Sequence, residues 1–259
     1  MPDARQSPEA SRLWPSGGVH LWRSGGVSSL HSHPQGHLVY AASGVLSVRT
    51  IRGTSVVPAN RVAWTPAGFQ HSHRAHSSTD MRILFLPVSL ARRLSEQPVV
   101  FTASALAREV ILALTNEHSY DAGAEARLRR VLVDELRDAD ELHLHLPDPA
   151  DDRLQAIARL LVEDPAENRS LAELGRTIGA GARTLSRLLH DELGMTFYEW
   201  RTQLRICHAL VLLADGRTTT EVAHACGWSN PSGFIEAFTA VIGTTPGRYR
   251  AGGAGGGGG

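Results

Sequence analysis

The sequence predicts an α+β chain with a β-barrel at the N-terminal end, a helical hairpin after it and an all-α domain with two helix-turn-helix units. Three patterns lead to this. From Gly18 to about Val88, short apolar and β-branched runs (VHLW, HLVYAASG, VLSVRTI, TSVVP, RVAWTPAG, MRILFLPV) are broken by Gly, Pro, Ser and Asn at the roughly 8–12-residue spacing of small β-sandwiches and barrels. From Thr102 to about Asp140 apolar residues recur at three and four, the helical period. From Ser170 to Arg250 one architecture occurs twice: a helix, a Gly, a short turn and a second helix.

Taken in order, residues 1–17 form a polar leader without the apolar segment of a signal peptide, and are expected to be disordered. Residues 18–100 form the barrel, and residues 101–146 the hairpin, in which Leu128, Val131, Leu132 and Leu136 make one apolar stripe and DAG (121–123) a break. Packing on the barrel itself is one use of that stripe. Residues 147–153, with Pro147 and Pro149, are the linker, residues 154–250 the tandem domain and residues 251–259 a Gly-rich tail that has nothing to bury. His143 and His145 near the linker have metal-like spacing, but an exposed linker makes a poor cage.

In the first helix-turn-helix unit Leu171, Leu174 and Ile178 keep helical phase, Gly175 is small where two helices cross, and Gly179 supplies the turn. In the second, Ala223 and Gly227 repeat those places, Phe234 and Phe238 point inward, and Asn230-Pro231 reads as an N-cap followed by Pro at the first helical position; its turn is one residue longer. A long helix containing Phe197, Trp200, Leu204, Leu210 and Leu213 joins them.

The hydrophobic fraction of 42% is ordinary for a soluble chain, and no apolar run reaches the roughly 20 residues of a membrane span. A cytoplasmic, nucleoid-associated protein is expected. Cys207 and Cys226 fall on apolar helical faces and read as buried thiols. All 26 basic residues are Arg. Residues 151–250 carry 11 Arg against 12 acids, whereas residues 169–205 carry 6 against 4, so positive charge is confined to the first unit and its connecting helix.

Inside the barrel region stands a histidine constellation: His31, His33 and His37, then His71 after the turn residues Pro66 and Gly68. His31 and His33 alternate by two, so on a strand both leave one face. Four converging neutral imidazoles suit Zn²⁺, Ni²⁺, Co²⁺, Cu²⁺ or Fe²⁺ and not Ca²⁺ or Mg²⁺. His73, in phase with His71, and His76 are spare ligands or neighbours. The alternative is a polar pocket for an organic effector, with Tyr40 and His73 as pocket residues. Trp22, Trp64 and Phe69 are read mainly as core.

The segments ARTLSRLLHDELGMTFYEWRTQLRICHAL and ADGRTTTEVAHACGWSNPSGFIEAFTAVIGTTPGRYR together resemble the DNA-binding domain of AraC-type transcription regulators over roughly the last hundred residues before the tail. The histidine spacing is similar to the two motifs of the cupin family, with His37 where Glu is usual, Asn60 where Gly is usual and Ala75 where Asn is usual. The resemblance implies a cupin-like sensor barrel, a dimerisation hairpin and a homodimer on a double-stranded DNA operator, with RNA polymerase as a further partner if the protein activates. It also implies the reading residues: Arg183, Thr184, Ser186, Arg187 and His190 on the first recognition helix, where Arg forks onto guanine. Gly181 stands where a Ser cap is usual. On the second recognition helix the outward residues include Ser232, Gly233, Ile235, Glu236 and Thr239, with Glu236 where a base is usual, so the first unit is expected to dominate affinity. An enzyme of cupin type is the competing class, disfavoured because His37 replaces the carboxylate such chemistry would use.

Overall fold

The computed structural model describes residues 18–51, 53–59, 61–116, 120–139, 145–146 and 148–253. Two compact units divide near residue 144. The leader, Asn60 and His143 lie outside the described residues, as do the side chain of His145 and residues 254–259. Among the described residues no helix is long and apolar enough to cross a membrane.

The strands are β1 (Gly18–Trp22), β2 (His37–Ser43), β3 (Val45–Thr50), β4 (Gly53–Pro58), β5 (Arg61–Thr65), β6 (His71–Ala75), β7 (Thr79–Phe85) and β8 (Val99–Thr102). One sheet has the order β1-β7-β2-β5-β8, and the other runs β6-β3-β4. The pairings β1–β7, β2–β7, β2–β5, β3–β6 and β5–β8 are antiparallel. Val39, Ala41, Ala63, Met81 and Val100 of the first sheet pack on Leu46, Val48 and Val57 of the second, which makes the inner core. The alternate residues Leu38, Tyr40, Val62, Trp64 and Leu84 point the other way and meet the helices. This explains the run HLVYAA: β2 is covered on both faces, so it is apolar at every step instead of every second one.

Helix α1 (Val88–Ala91) is short. Helices α2 (Ala105–Thr115) and α3 (Ala122–Arg137) are the hairpin, capped by Ser104 accepting from the Ala107 N–H and Asp121 from the Ala124 N–H, so the DAG break is the start of α3. The apolar stripe corrects one expectation. Leu132 and Leu136 are fully buried and Leu128 partly so, all in the cluster with Tyr40, Trp64 and Ile111; only Val131, 38% exposed, faces outward. The stripe is spent on the chain's own sheet, the reading in which it packs on the barrel, because the outer face of the first sheet is apolar and has no other cover. Arg129, a buried residue of α3, donates to the Phe85 carbonyl and pairs with Glu125 at 2.7 Å.

The second unit holds α4 (Asp152–Glu163), α5 (Leu171–Thr177), α6 (Ala182–Leu188), α7 (Phe197–Ala214), α8 (Thr219–Ala225), α9 (Pro231–Ile242) and α10 (Pro246–Gly253). A π-helical turn, Leu189–Leu193, extends α6. Helices α5, α7 and α8 each begin with a capping box: Ser170 with Glu173, Thr196 with Glu199, Thr218 with Glu221. Asn230 caps α9 through the Gly233 N–H, with Pro231 next to it. The turn between α5 and α6 spans residues 178–181 and that between α8 and α9 residues 226–230, one residue longer. A Cβ on Gly175 would stand 2.4 Å from the Ala180 carbonyl oxygen, so the helix crossing requires glycine there. Gly179 and Gly227 hold φ of +71° and +80°, the left-handed turns. Leu154, Ile157, Leu174, Leu185, Leu189 and Trp200 form one core. Around the second unit's turn, Phe234 stacks at 5.2 Å from Trp228 and 5.6 Å from Phe238. Both cysteines are free, and burial pushes the Cys207 and Cys226 thiols up to about 12.

Candidate ligand site and DNA-reading surface

Five histidines gather between the two sheets. His37 opens β2, while His71 and His73 share one face of β6 in the opposite sheet. His31 is tied to His71 by a two-way backbone bridge, with N···O distances of 2.9 and 2.8 Å. Gly68, at φ +79°, donates to the His33 carbonyl at 2.9 Å, so the turn before β6 also fixes His33. Ring centroids are 4.4 Å apart for His31 and His71, 4.7 Å for His37 and His71, 4.9 Å for His33 and His37, and 5.0 Å for His71 and His73. Phe85 closes one wall, 5.0 Å from His33 and 5.4 Å from His37.

Two sets have one ligating nitrogen each within 4.8 Å of the others: His31, His33 and His71, and His37, His71 and His73. The backbone supplies orientation: the Ser29 carbonyl takes the His31 Nδ1 at 2.7 Å and the Phe69 carbonyl the His71 Nδ1 at 2.9 Å, leaving each Nε2 for the cluster. Both nitrogens of His37 and the Nε2 of His71 and His73 are buried without a hydrogen-bond partner among the described residues. Burial first, then the neighbouring histidines, hold His33 at about 4 and His37 and His73 well below the usual histidine value; burial likewise holds His71 at about 4, against the Phe69 bond. The rings are therefore neutral at pH 7, the state that binds a transition metal.

The four histidines expected as ligands thus come together, and His73 joins them as a fifth. His76 does not, its Nε2 resting 3.0 Å from Ser47 Oγ. Tyr40 also lies elsewhere. Three residues beyond His37 it leaves the other face of β2, buried against the hairpin. That corrects its expected place in the histidine pocket. Trp64 faces the same way and donates to the Ser95 carbonyl at 2.7 Å. His20, on β1, was missed; it is buried close enough to His73 to lower that ring's pKa. Its alternation with Trp22 inside VHLW carried that signal.

In the second unit Arg183, Ser186, Arg187 and His190 are exposed along α6 and its π-helical extension, with Thr184 half-buried. Gly181 makes no side-chain cap there. On α9, Ser232, Ile235 and Glu236 are exposed, and Gly233 and Thr239 are half-buried. Two arginines of the connecting helix are used internally. Arg205, only 8% exposed, donates to the Pro165 and Glu167 carbonyls and to Asn168 Oδ1 at 2.8–2.9 Å, and lies 5.6 Å over the Trp228 ring. Arg201 donates to the Arg169 carbonyl at 3.0 Å.

Family models match both units: an AraC-like ligand binding domain over residues 23–132 and a helix-turn-helix domain over residues 174–252. The chain is 30% identical over 233 residues to the HTH-type transcriptional regulator NimR of Escherichia coli, covering 89% of this chain and 85% of that protein. The chain belongs to the AraC family of transcription regulators. Further similarity, 37% over 106 residues, links it to the regulator RipA of Corynebacterium glutamicum, covering 41% of this chain and 32% of RipA. The crystal structure of ToxT from Vibrio cholerae aligns over 92% of this chain and 98% of its own at 13% identity, with a TM-score of 0.41. As an AraC-family regulator, the protein pairs an N-terminal ligand-binding domain with a DNA-binding helix-turn-helix domain.

Proposed function

We propose that the ligand of the N-terminal domain is a divalent transition metal, and that its binding adjusts recognition of a double-stranded DNA operator by the tandem helix-turn-helix domain. The observation that carries the reading is the set of buried, partnerless nitrogens on His37, His71 and His73. A buried nitrogen without a partner costs about 1–3 kcal/mol, and a metal ion removes that cost at several rings at once. An all-imidazole donor set suits Zn²⁺, Ni²⁺, Co²⁺, Cu²⁺ or Fe²⁺. No carboxylate belongs to either set, which favours a sensor over an enzyme. On the DNA side Arg183 and Arg187 supply the base contacts and Glu236 weakens the second unit.

The test is the metal content of the purified protein and of a His31→Ala/His71→Ala double variant by mass spectrometry, followed by operator binding with and without the ion. About one ion per chain, lost in the variant, with a shift in operator affinity, supports the reading. A metal-free protein that stays so after reloading overturns it and leaves an organic effector as the ligand.

A further inference from the structure

We infer that the cluster holds a single ion in an inner site made by His37, His71 and His73, and that His31 and His33 form the mouth through which the ion passes. The inference rests on the metal reading above and adds which nitrogens hold the ion.

The two three-histidine sets share His71. Its Nδ1 is engaged by the Phe69 carbonyl at 2.9 Å, so only Nε2 ligates. One neutral imidazole nitrogen has one lone pair and serves one ion at a time. Filling one set therefore excludes the other, and five histidines make one site of choice instead of two sites.

Burial decides the choice. His37, His71 and His73 are 1%, 0% and 2% exposed, and their ligating nitrogens have no partner among the described residues. With the ion gone nothing replaces it. His31 and His33 are partly exposed, so water can serve them whenever the ion moves on. The ring spacing also gives a route inward, from His31 to His33 at 4.8 Å and from His33 to His37 at 4.9 Å.

The experiment uses the full apo chain, Co²⁺ as probe, and stopped-flow absorption for rates and stoichiometry. One Co²⁺ per chain is expected. His37→Gln and His73→Gln should each speed dissociation by more than ~100-fold, beyond the roughly 10–100-fold loss from removing a group that only orients a ligand. His33→Gln should slow association and dissociation together and leave the equilibrium affinity nearly unchanged, because a group on the route alone acts on both rates. Because the Gln variants can lose their fold, His73→Cys supplies a positive signal: Co²⁺ still binds and a sulfur-to-cobalt charge-transfer band appears, whereas His33→Cys gives no such band at equilibrium. Two ions per chain overturn the inference, as does a sulfur band from His33→Cys with none from His73→Cys. If the wild-type chain takes up no Co²⁺, Zn²⁺ or Ni²⁺, the metal reading itself fails and this inference fails with it.

Discussion

Arg187 and Glu236 are both exposed on second helices of the two helix-turn-helix units, yet their charges act oppositely on DNA. A guanidinium forks onto guanine, and a good contact of this kind discriminates by about 1–3 kcal/mol, whereas a carboxylate can accept only from cytosine and repels phosphate. Arg187→Ala should therefore remove specific operator binding, and Glu236→Ala should leave it unchanged or tighten it, both read by fluorescence anisotropy on operator and scrambled duplexes. Equal affinity of wild type and Arg187→Ala would remove α6 from base reading. At His71 the prediction concerns pH. Its pKa falls from 6.5 to about 4 on folding, mainly by burial. Between those values the unfolded chain takes up a proton that the native ring refuses, so this contribution is complete above about pH 6.5 and is lost as pH falls toward 4. The loss is about 3 kcal/mol. Thermal unfolding of the metal-free chain should show its midpoint dropping across that window, and His71→Gln should flatten the drop; parallel curves for both proteins would contradict it.

Elements show where sequence periodicity suffices and where it stops. The hairpin helices follow directly from apolar spacing at three and four, but the same stripe fits a partner helix or a sheet, and only the fully apolar outer face of β2 and β5 decides for the sheet. Leu132→Ala should accordingly cost about 2–5 kcal/mol as a core cavity, seen in urea unfolding. A change in oligomeric state with unaltered stability would return the stripe to an interface. Tyr40 was legible and misplaced, since an odd offset from His37 on one strand already puts it on the opposite face. The assembly of His73 with His37 was less so, because alternation groups residues within β6 and says nothing about which sheet it faces. The small-residue crossing in the first helix-turn-helix unit was read correctly from Gly175. Gly175→Ala should destabilise the second unit by about 1–3 kcal/mol, since the added Cβ would stand 2.4 Å from the Ala180 carbonyl oxygen and force it away. An unshifted transition in the variant would mean that the turn yields.

At the scale of the whole molecule, charge sets how the protein meets DNA, and here a count along the sequence misleads. Of the six arginines in residues 169–205, Arg205 and Arg201 are bound to backbone carbonyls around the α4–α5 loop, partners 32 to 40 positions away that no local pattern announces. Arg169 is paired with Glu167 at 2.5 Å. Arg176, Arg183 and Arg187 remain exposed, with Asp191 and Glu192 following on the π-helical turn. Arg217, Arg248 and Arg250 are exposed in the second half, against Asp215, Glu221 and Glu236. Few arginines are thus left for phosphates, and each neutralised phosphate contributes about −0.9 to the slope of log affinity against log salt concentration. Each chain should show a slope of only about −2 to −4. Anisotropy titrations across a salt series measure it directly. A slope steeper than about −6 per chain would require phosphate contacts from arginines that the fold has already engaged, and Arg205 would have to leave its carbonyl partners to provide one.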